Sequence, residues 1–468
     1  PIDLFDRHLY EKGALVLHLL RYELGDALFW KALGHYVAKH RTQSVVTLDL
    51  QRAVEEATGR NLERFFQQWV HRPGYPEFKV SYAWDEASKS AKLTVAQTQG
   101  EGLDTPVFAV PLEVEFGGAG GPVTRRVEVA EKTQTFYLPL SEKPLSVRID
   151  PRGWVLKKVD FERPKELLLH QLRHAPDALG RSDAVQALGR LGTPEAVRAL
   201  SETLRHDPFW GVQREAAKAL GSIRSQAALE ALLESKAVAH PKARRAVVQA
   251  LGEFRDTAAA EALAAIARHG DASWFVEAEA GRALGKTRSP LALETLTATV
   301  QRESFNQVVR VAALDGLAEL GDERGIALAQ AWASYGKPQT ARSSAIAALG
   351  KLGKLATDKN KDEVRDTLLR YLDDPWLRVR MGAIGALEEL KETTTVPALE
   401  RLGRADLDGR VQRRAREAVI AIRRGSDKGD DIKKLRDDLD RTLRENRELR
   451  DRLDQIEARV NGVGPASS

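Results

Sequence analysis

The tripeptide Ala187-Leu188-Gly189 closes an apolar run that reads as a helix. It returns as Ala219-Leu220-Gly221, Ala250-Leu251-Gly252, Ala283-Leu284-Gly285 and Ala348-Leu349-Gly350. Looser copies stand at Gly316-Leu317, Ala386-Leu387 and Ala418-Val419. The central residue falls at 188, 220, 251, 284, 317, 349, 387 and 419, a period of 31 to 33 with one longer interval, where residues 351–361 read as an insertion. A second half-motif, Asp374-Pro375-Trp376-Leu377-Arg378-Val379-Arg380, supplies a turn and then a basic, apolar helix start. Two amphipathic helices repeated on such a period are the signature of a solenoid, whose units bury their apolar faces against one another. Small Ala and Gly residues at the crossings let neighbouring units approach closely. This region is expected to span 161–425.

Upstream of it the period of the apolar residues is two. Phe78, Val80, Tyr82 and Trp84 alternate, as do Phe108, Val110, Leu112, Val114 and Phe116. Val127 and Val129, then Phe136, Leu138 and Leu140, then Val147 and Ile149 continue the pattern, with Gly117–Gly121 as a hairpin connection. Six or seven short strands over 74–160 predict a small β-sandwich, with Asp150-Pro151-Arg152-Gly153 as its closing turn. Residues 1–73 return to helical spacing. Leu24-Gly25-Asp26 breaks the first helix, Thr47 is placed to cap a third that Gly59 ends, and Asn61 caps a fourth. Pro73-Gly74-Tyr75-Pro76 stops helix formation.

Downstream, Ile432, Leu435, Leu439, Thr442, Asn446, Leu449, Leu453, Ile456 and Val460 are spaced alternately by three and four among charged residues. This heptad predicts a coiled coil over 430–460, and Asn at an a position favours a parallel dimer. The competing reading is a solvated single helix held by charge pairs.

Composition narrows the function. The 468 residues carry a net charge of +5 with acidic residues interleaved throughout, so a nucleic-acid partner is not expected. Cysteine is absent, which excludes disulfides, thiolate metal sites and cysteine nucleophiles, and fits a reducing, cytoplasmic setting. No apolar run is long enough to cross a membrane. The chain opens at Pro1-Ile2-Asp3 without a charged-then-apolar leader, and reads as a piece of a longer protein.

One stretch is out of keeping with a plain helical core. In HLYEKGALVLHLL, residues 8–20, the leucines suit a buried helix, whereas Tyr10-Glu11-Lys12-Gly13 adds nothing to a core and Gly13 costs about 1 kcal/mol of helix propensity. With the apolar helix after it, Leu24-Gly25-Asp26 and Pro73-Gly74-Tyr75-Pro76, this tetrapeptide resembles the carboxyl-terminal part of the gluzincin zinc aminopeptidases, the aminopeptidase N family. The repeats resemble short HEAT units.

The resemblance implies a multidomain α+β chain. The helical tail of a thermolysin-like catalytic domain would be followed by a β-sandwich and a HEAT-like solenoid, with the coiled coil outside the usual family plan. It assigns Tyr10 a catalytic role, donating its hydroxyl to the oxyanion of a tetrahedral intermediate. It also implies zinc, held by His-Glu-x-x-His and a later Glu, which the family places upstream of the tyrosine and hence before Pro1. None of the ten histidines here is followed by Glu. The nearest imitation, His170-Gln171-Leu172-Arg173-His174, lacks a base and reads as a packing pair, and His35 and His40 are five apart. This chain alone thus lacks the zinc and general-base residues.

Implied partners are a peptide substrate, a protein on the solenoid and a second copy at the coiled coil. The alternative to an aminopeptidase part is a non-catalytic HEAT-repeat scaffold.

Overall fold

The computed structural model describes residues 8–100 and 107–425. The coiled-coil expectation for 430–460 lies outside the described residues. The chain is mostly helical and divides into two compact units, Pro1–Ala243 and Arg244–Ser468.

The first unit opens with helices α1 (Gly13–Leu24), α2 (Asp26–Lys39) and α3 (Thr47–Thr58). Gly25 and Gly59, at φ +76° and +67°, supply the left-handed backbone that separates and ends them. Thr47 is not the cap expected of it. Val46 stands at that position, and Asp49 accepts the Val46 N–H at 2.9 Å instead. Asn61 is not the cap either: Leu62 stands at that position of α4 (Glu63–Phe66), and Asn61, one residue before it, accepts the Glu63 N–H at 3.1 Å; a π-helical turn over Gln67–His71 follows. Leu20, Leu24, Phe29, Val54, Leu62 and Phe66 form the core of this helical part.

Seven strands follow among the described residues: β1 (Glu77–Asp85), β2 (Ser90–Gln97), β3 (Val110–Gly117), β4 (Val123–Val129), β5 (Thr133–Pro139), β6 (Ser146–Ile149) and β7 (Lys158–Phe161). They make a four-stranded sheet ordered β5-β2-β1-β7 and a three-stranded sheet ordered β4-β3-β6. Phe78, Val80, Leu93 and Val95 of one sheet share a core with Leu112, Val114, Val127 and Val147 of the other. Trp69, Val16 and Leu19 from the preceding helices join it. Alternation placed these side chains inward because successive strand residues point to opposite faces. The turn at Asp150 does not close the strand region. It leads to β7, which pairs in parallel with β1. The Asp150 carboxylate holds that turn by accepting the Trp154 and Val155 N–H groups and pairing with Lys157.

Helical repeats begin with α5 (Lys165–His174) and α6 (Ala178–Leu191). They are tied to the sheets by buried charge. The Arg148 guanidinium, on β6, pairs with Glu115 at 2.8 Å and with Asp177 at 2.9 Å, and Asp177 caps α6 through the Gly180 N–H. Gly180 leaves room for that guanidinium, since a methyl there would lie 2.7 Å from it.

The Arg–Asp pairing recurs through the repeats. Arg181 meets Asp207 in the first unit; Arg244 meets Asp271, Arg342 meets Asp374 and Arg380 meets Asp406 in the second, at 2.6–2.9 Å. Each aspartate also accepts the N–H two residues on, at Phe209, Ser273, Trp376 and Asp408. One rung is inverted. Glu277 stands where the period places arginine, and Arg302 approaches it at 2.9 Å. The expected insertion at 351–361 is absorbed by helix: one helix runs Gln339–Leu355 and the next starts at Asp358.

Candidate active site

Tyr10 lies on a π-helical turn, His8–Lys12, that runs into α1. Such turns widen the helix by a residue and re-aim the side chains on them. Tyr10 is 61% exposed and stands at the edge of a groove of ≈ 580 Å³. Lys12 also lines that groove, and Leu20, Leu50, Phe66 and Trp69 make its apolar walls. The Lys12 ammonium donates to the Gly74 carbonyl at 3.4 Å. Two segments singled out in the sequence sixty residues apart, Tyr-Glu-Lys-Gly and Pro-Gly-Tyr-Pro, are thereby brought together. Sequence spacing carries no signal for that contact.

Farther along α1 the packing against the strand region is aromatic. His18 and Tyr22, on α1, stack on Trp154 with ring centroids 4.5 and 5.4 Å apart, and Arg126 lies 5.0 Å over the Tyr22 ring. Burial pushes the Tyr22 phenol up to about 12. Gln68 exchanges two hydrogen bonds with the Ala109 backbone at 3.0 and 2.9 Å, fixing the Gln67–His71 turn to the strand region. Neither tie was read from the sequence, because a Trp after a turn and a Gln in a helix are unremarkable singly.

The histidines serve other ends. His35 and Lys39 both bind Glu56, at 3.0 and 2.7 Å, and His40 rests on Tyr36. The rings of His170 and His174 lie 4.4 Å apart, while Gln171 is committed to a buried network with Arg163, Gly180 and Asp183. Among the described residues no group of three or more His, Asp or Glu side chains is placed to hold a metal ion. The described residues therefore do not by themselves make a zinc site.

Residues 1–69 match the model of the peptidase family M1 domain, and 166–239, 236–305 and 352–420 match HEAT repeats. The opening segment is M1-family sequence, and HEAT repeats follow it. Aminopeptidase N of Lactococcus lactis is 31% identical over 134 residues, which are 28% of this chain and 15% of that protein. A puromycin-sensitive aminopeptidase of Caenorhabditis elegans is 26% identical over 226 residues, 45% of this chain and 23% of that one. Transcription initiation factor TFIID subunit 2 of Danio rerio is 23% identical over 209 residues, 38% and 18% of the two chains. The matches thus span less than a quarter of each of these relatives. The fold of Legionella pneumophila aminopeptidase A, solved in complex with aspartic acid, covers 89% of this chain and 57% of that one at a TM-score of 0.59 and 13% identity. The M1 segment carries Tyr10 and the groove, and no described helix of the chain is long and apolar enough to cross a membrane.

Proposed function

We propose that this chain is the carboxyl-terminal part of a cytoplasmic zinc-dependent aminopeptidase that removes amino-terminal residues from peptides. In this reading residues 1–73 complete the catalytic domain, 74–160 form a β-sandwich and 161–425 a HEAT-like solenoid that offers a surface to a protein partner. Zinc would supply Lewis-acid activation of the scissile carbonyl from ligands outside these residues. Tyr10 is the oxyanion donor. An uncharged hydroxyl aimed at developing negative charge stabilises the transition state more than the ground state. The observation that carries the reading is Tyr10 standing over an apolar groove within the M1-matched segment.

The test is zinc content and aminoacyl-anilide hydrolysis by the full-length gene product containing this chain, with Tyr10→Phe beside it. The variant is expected to lose about 100-fold in kcat, the scale of one oxyanion donor, with unchanged thermal stability because the ring is exposed. Normal turnover in Tyr10→Phe sinks the assignment.

A second reading, a non-catalytic scaffold, draws on the likeness to a transcription-factor subunit. A full-length product without zinc and without hydrolysis would select it.

A further inference from the structure

The aspartate rungs of the second unit share a register. Asp271, Asp374 and Asp406 each stand six residues before Glu277, Arg380 and Gln412, and each takes the arginine of the repeat before it. One repeat ahead of the Arg342 rung, the arginine is present and the acid is not. Arg310, on the helix Val308–Leu320, is only 6% exposed. Six residues before Arg342, where its aspartate would stand, the chain has Gly336 at φ +87°. A Cβ there would meet no atom within 4 Å. Two residues on, Pro338 has no N–H for an acid to accept.

Arg310 is hydrogen-bonded but not neutralised. Its Nε donates to the Val300 carbonyl at 2.7 Å and its Nη2 to that of Gln301 at 3.3 Å, while Nη1 donates to the Gln307 side chain. These acceptors satisfy hydrogens without cancelling charge, and burying a cation without a counter-charge is unfavourable. The guanidinium carbon lies 4.2 Å from the centre of the Trp332 ring, and the exposed Lys337 ammonium lies 4.6 Å from the same centre. Among the described residues neither cation has a carboxylate partner. Asp315 is taken by Arg282 and Glu277 by Arg302, and Glu303 forms no ion pair with either. The turn that delivers Gln307 is strained: Asn306 and Gln307, at φ +47° and +60°, are consecutive left-handed residues other than glycine. Such strain gathers at ligand clamps. Phe305 and Tyr335, at the two turns flanking this cluster, are both largely exposed. We propose that an acidic segment of a partner protein docks here and closes the rung. Its carboxylate meets Arg310 and Lys337, and neighbouring apolar side chains lie on Phe305 and Tyr335. The fold itself selects the carboxylate, because three other rungs of this unit bind that group in the same register. The inference rests on the reading of the solenoid as a partner surface and is independent of Tyr10.

The probe is a fluorescein-labelled peptide of alternating glutamate and phenylalanine, titrated with the full 468-residue chain in physiological salt and read by anisotropy. Saturable binding is expected, and the same peptide with glutamine for glutamate should not compete. Lys337→Glu, at an exposed position, should weaken binding about tenfold. Gly336→Asp should weaken it severalfold by placing an acid beside the cations. Gly336→Asn makes the same demand on the backbone without the charge and should stay within about twofold. Lys359→Glu, at an exposed lysine elsewhere in this unit, should also stay within about twofold, since salt screens charges that do not touch the ligand. No saturable binding, or an equal loss in Lys359→Glu, would overturn the proposal. So would a labelled oligothymidylate that binds more tightly than the peptide and is released by Lys337→Glu, which would assign the site to phosphate. No turnover is read, so failure of the aminopeptidase reading would leave this result standing.

Discussion

Replacing Arg342 by methionine should destabilise its repeat far more than the removal of a surface charge of equal geometry. The Arg342 guanidinium meets Asp374 at 2.6 Å with side chains 3% and 7% exposed, and its Nε donates to the Ala333 carbonyl at 2.9 Å. Arg342→Met leaves a buried carboxylate unpaired, which costs about 3–5 kcal/mol, and orphans a helix-end carbonyl, which costs roughly 1–3 kcal/mol more. Adding Asp374→Asn removes the unpaired charge while keeping an acceptor for the Trp376 N–H, now 2.9 Å away. The double variant should therefore recover at least about 2 kcal/mol relative to Arg342→Met. Lys351→Met is the control. Lys351 meets Glu319 at 2.7 Å, but with side chains 49% and 39% exposed, so the loss should stay below about 1 kcal/mol. Repeat arrays need not unfold in one step, so the readout is hydrogen exchange of the 326–333 and 377–390 helices beside urea unfolding. A cost below about 1 kcal/mol for Arg342→Met, or a double variant no better than the single, would refute burial as the deciding factor.

Four further outcomes are expected. Arg302→Ala should orphan buried Glu277 and destabilise by about 3 kcal/mol, while Arg302→Lys keeps most of the stability in the same urea experiment. Gly285→Ala drives a methyl into the Gly316 carbonyl oxygen and should cost more than about 2 kcal/mol. Gly382→Ala meets only the Ile346 methyl, at 3.7 Å, and should gain about 0.5–1 kcal/mol of helix propensity. His170 should titrate below its ordinary 6.5, because burial and then the charge of His174 oppose its protonation. The unfolded chain then binds the proton more readily, so this histidine's stabilising contribution is complete above pH 6.5 and fades as pH falls toward its folded value. In His174→Asn the His170 NMR titration should move upward, and an unmoved midpoint would contradict the pairing.

How much of the site was legible depends on distance along the chain. Tyr10-Glu11-Lys12-Gly13 stood out because it breaks helical patterning locally, and Gly25 and Gly59 because turns need positive φ. The Lys12–Gly74 contact, the Trp154 stack and the Gln68–Ala109 bonds join residues 41 to 136 apart, and no single segment encodes them. Strand β2 went unnamed in the alternation, and β7 lay beyond the turn that looked final, since a four-residue strand has too few alternations to announce itself.

The sequence by itself determined the periods: about 32 for the repeats, two for the strands, and the glycine register that lets helices touch. Those follow from local geometry, in which each residue's face is set by its position along its own element. Only the tertiary structure decided which charges met. Arginine and aspartate are abundant throughout the chain, and what separates the Arg342–Asp374 rung from the exposed Lys351–Glu319 pair is burial. The inverted rung at Glu277 and Arg302 shows the same thing from the other side: the pair forms with the acid on the helix and the arginine in the turn after the next one.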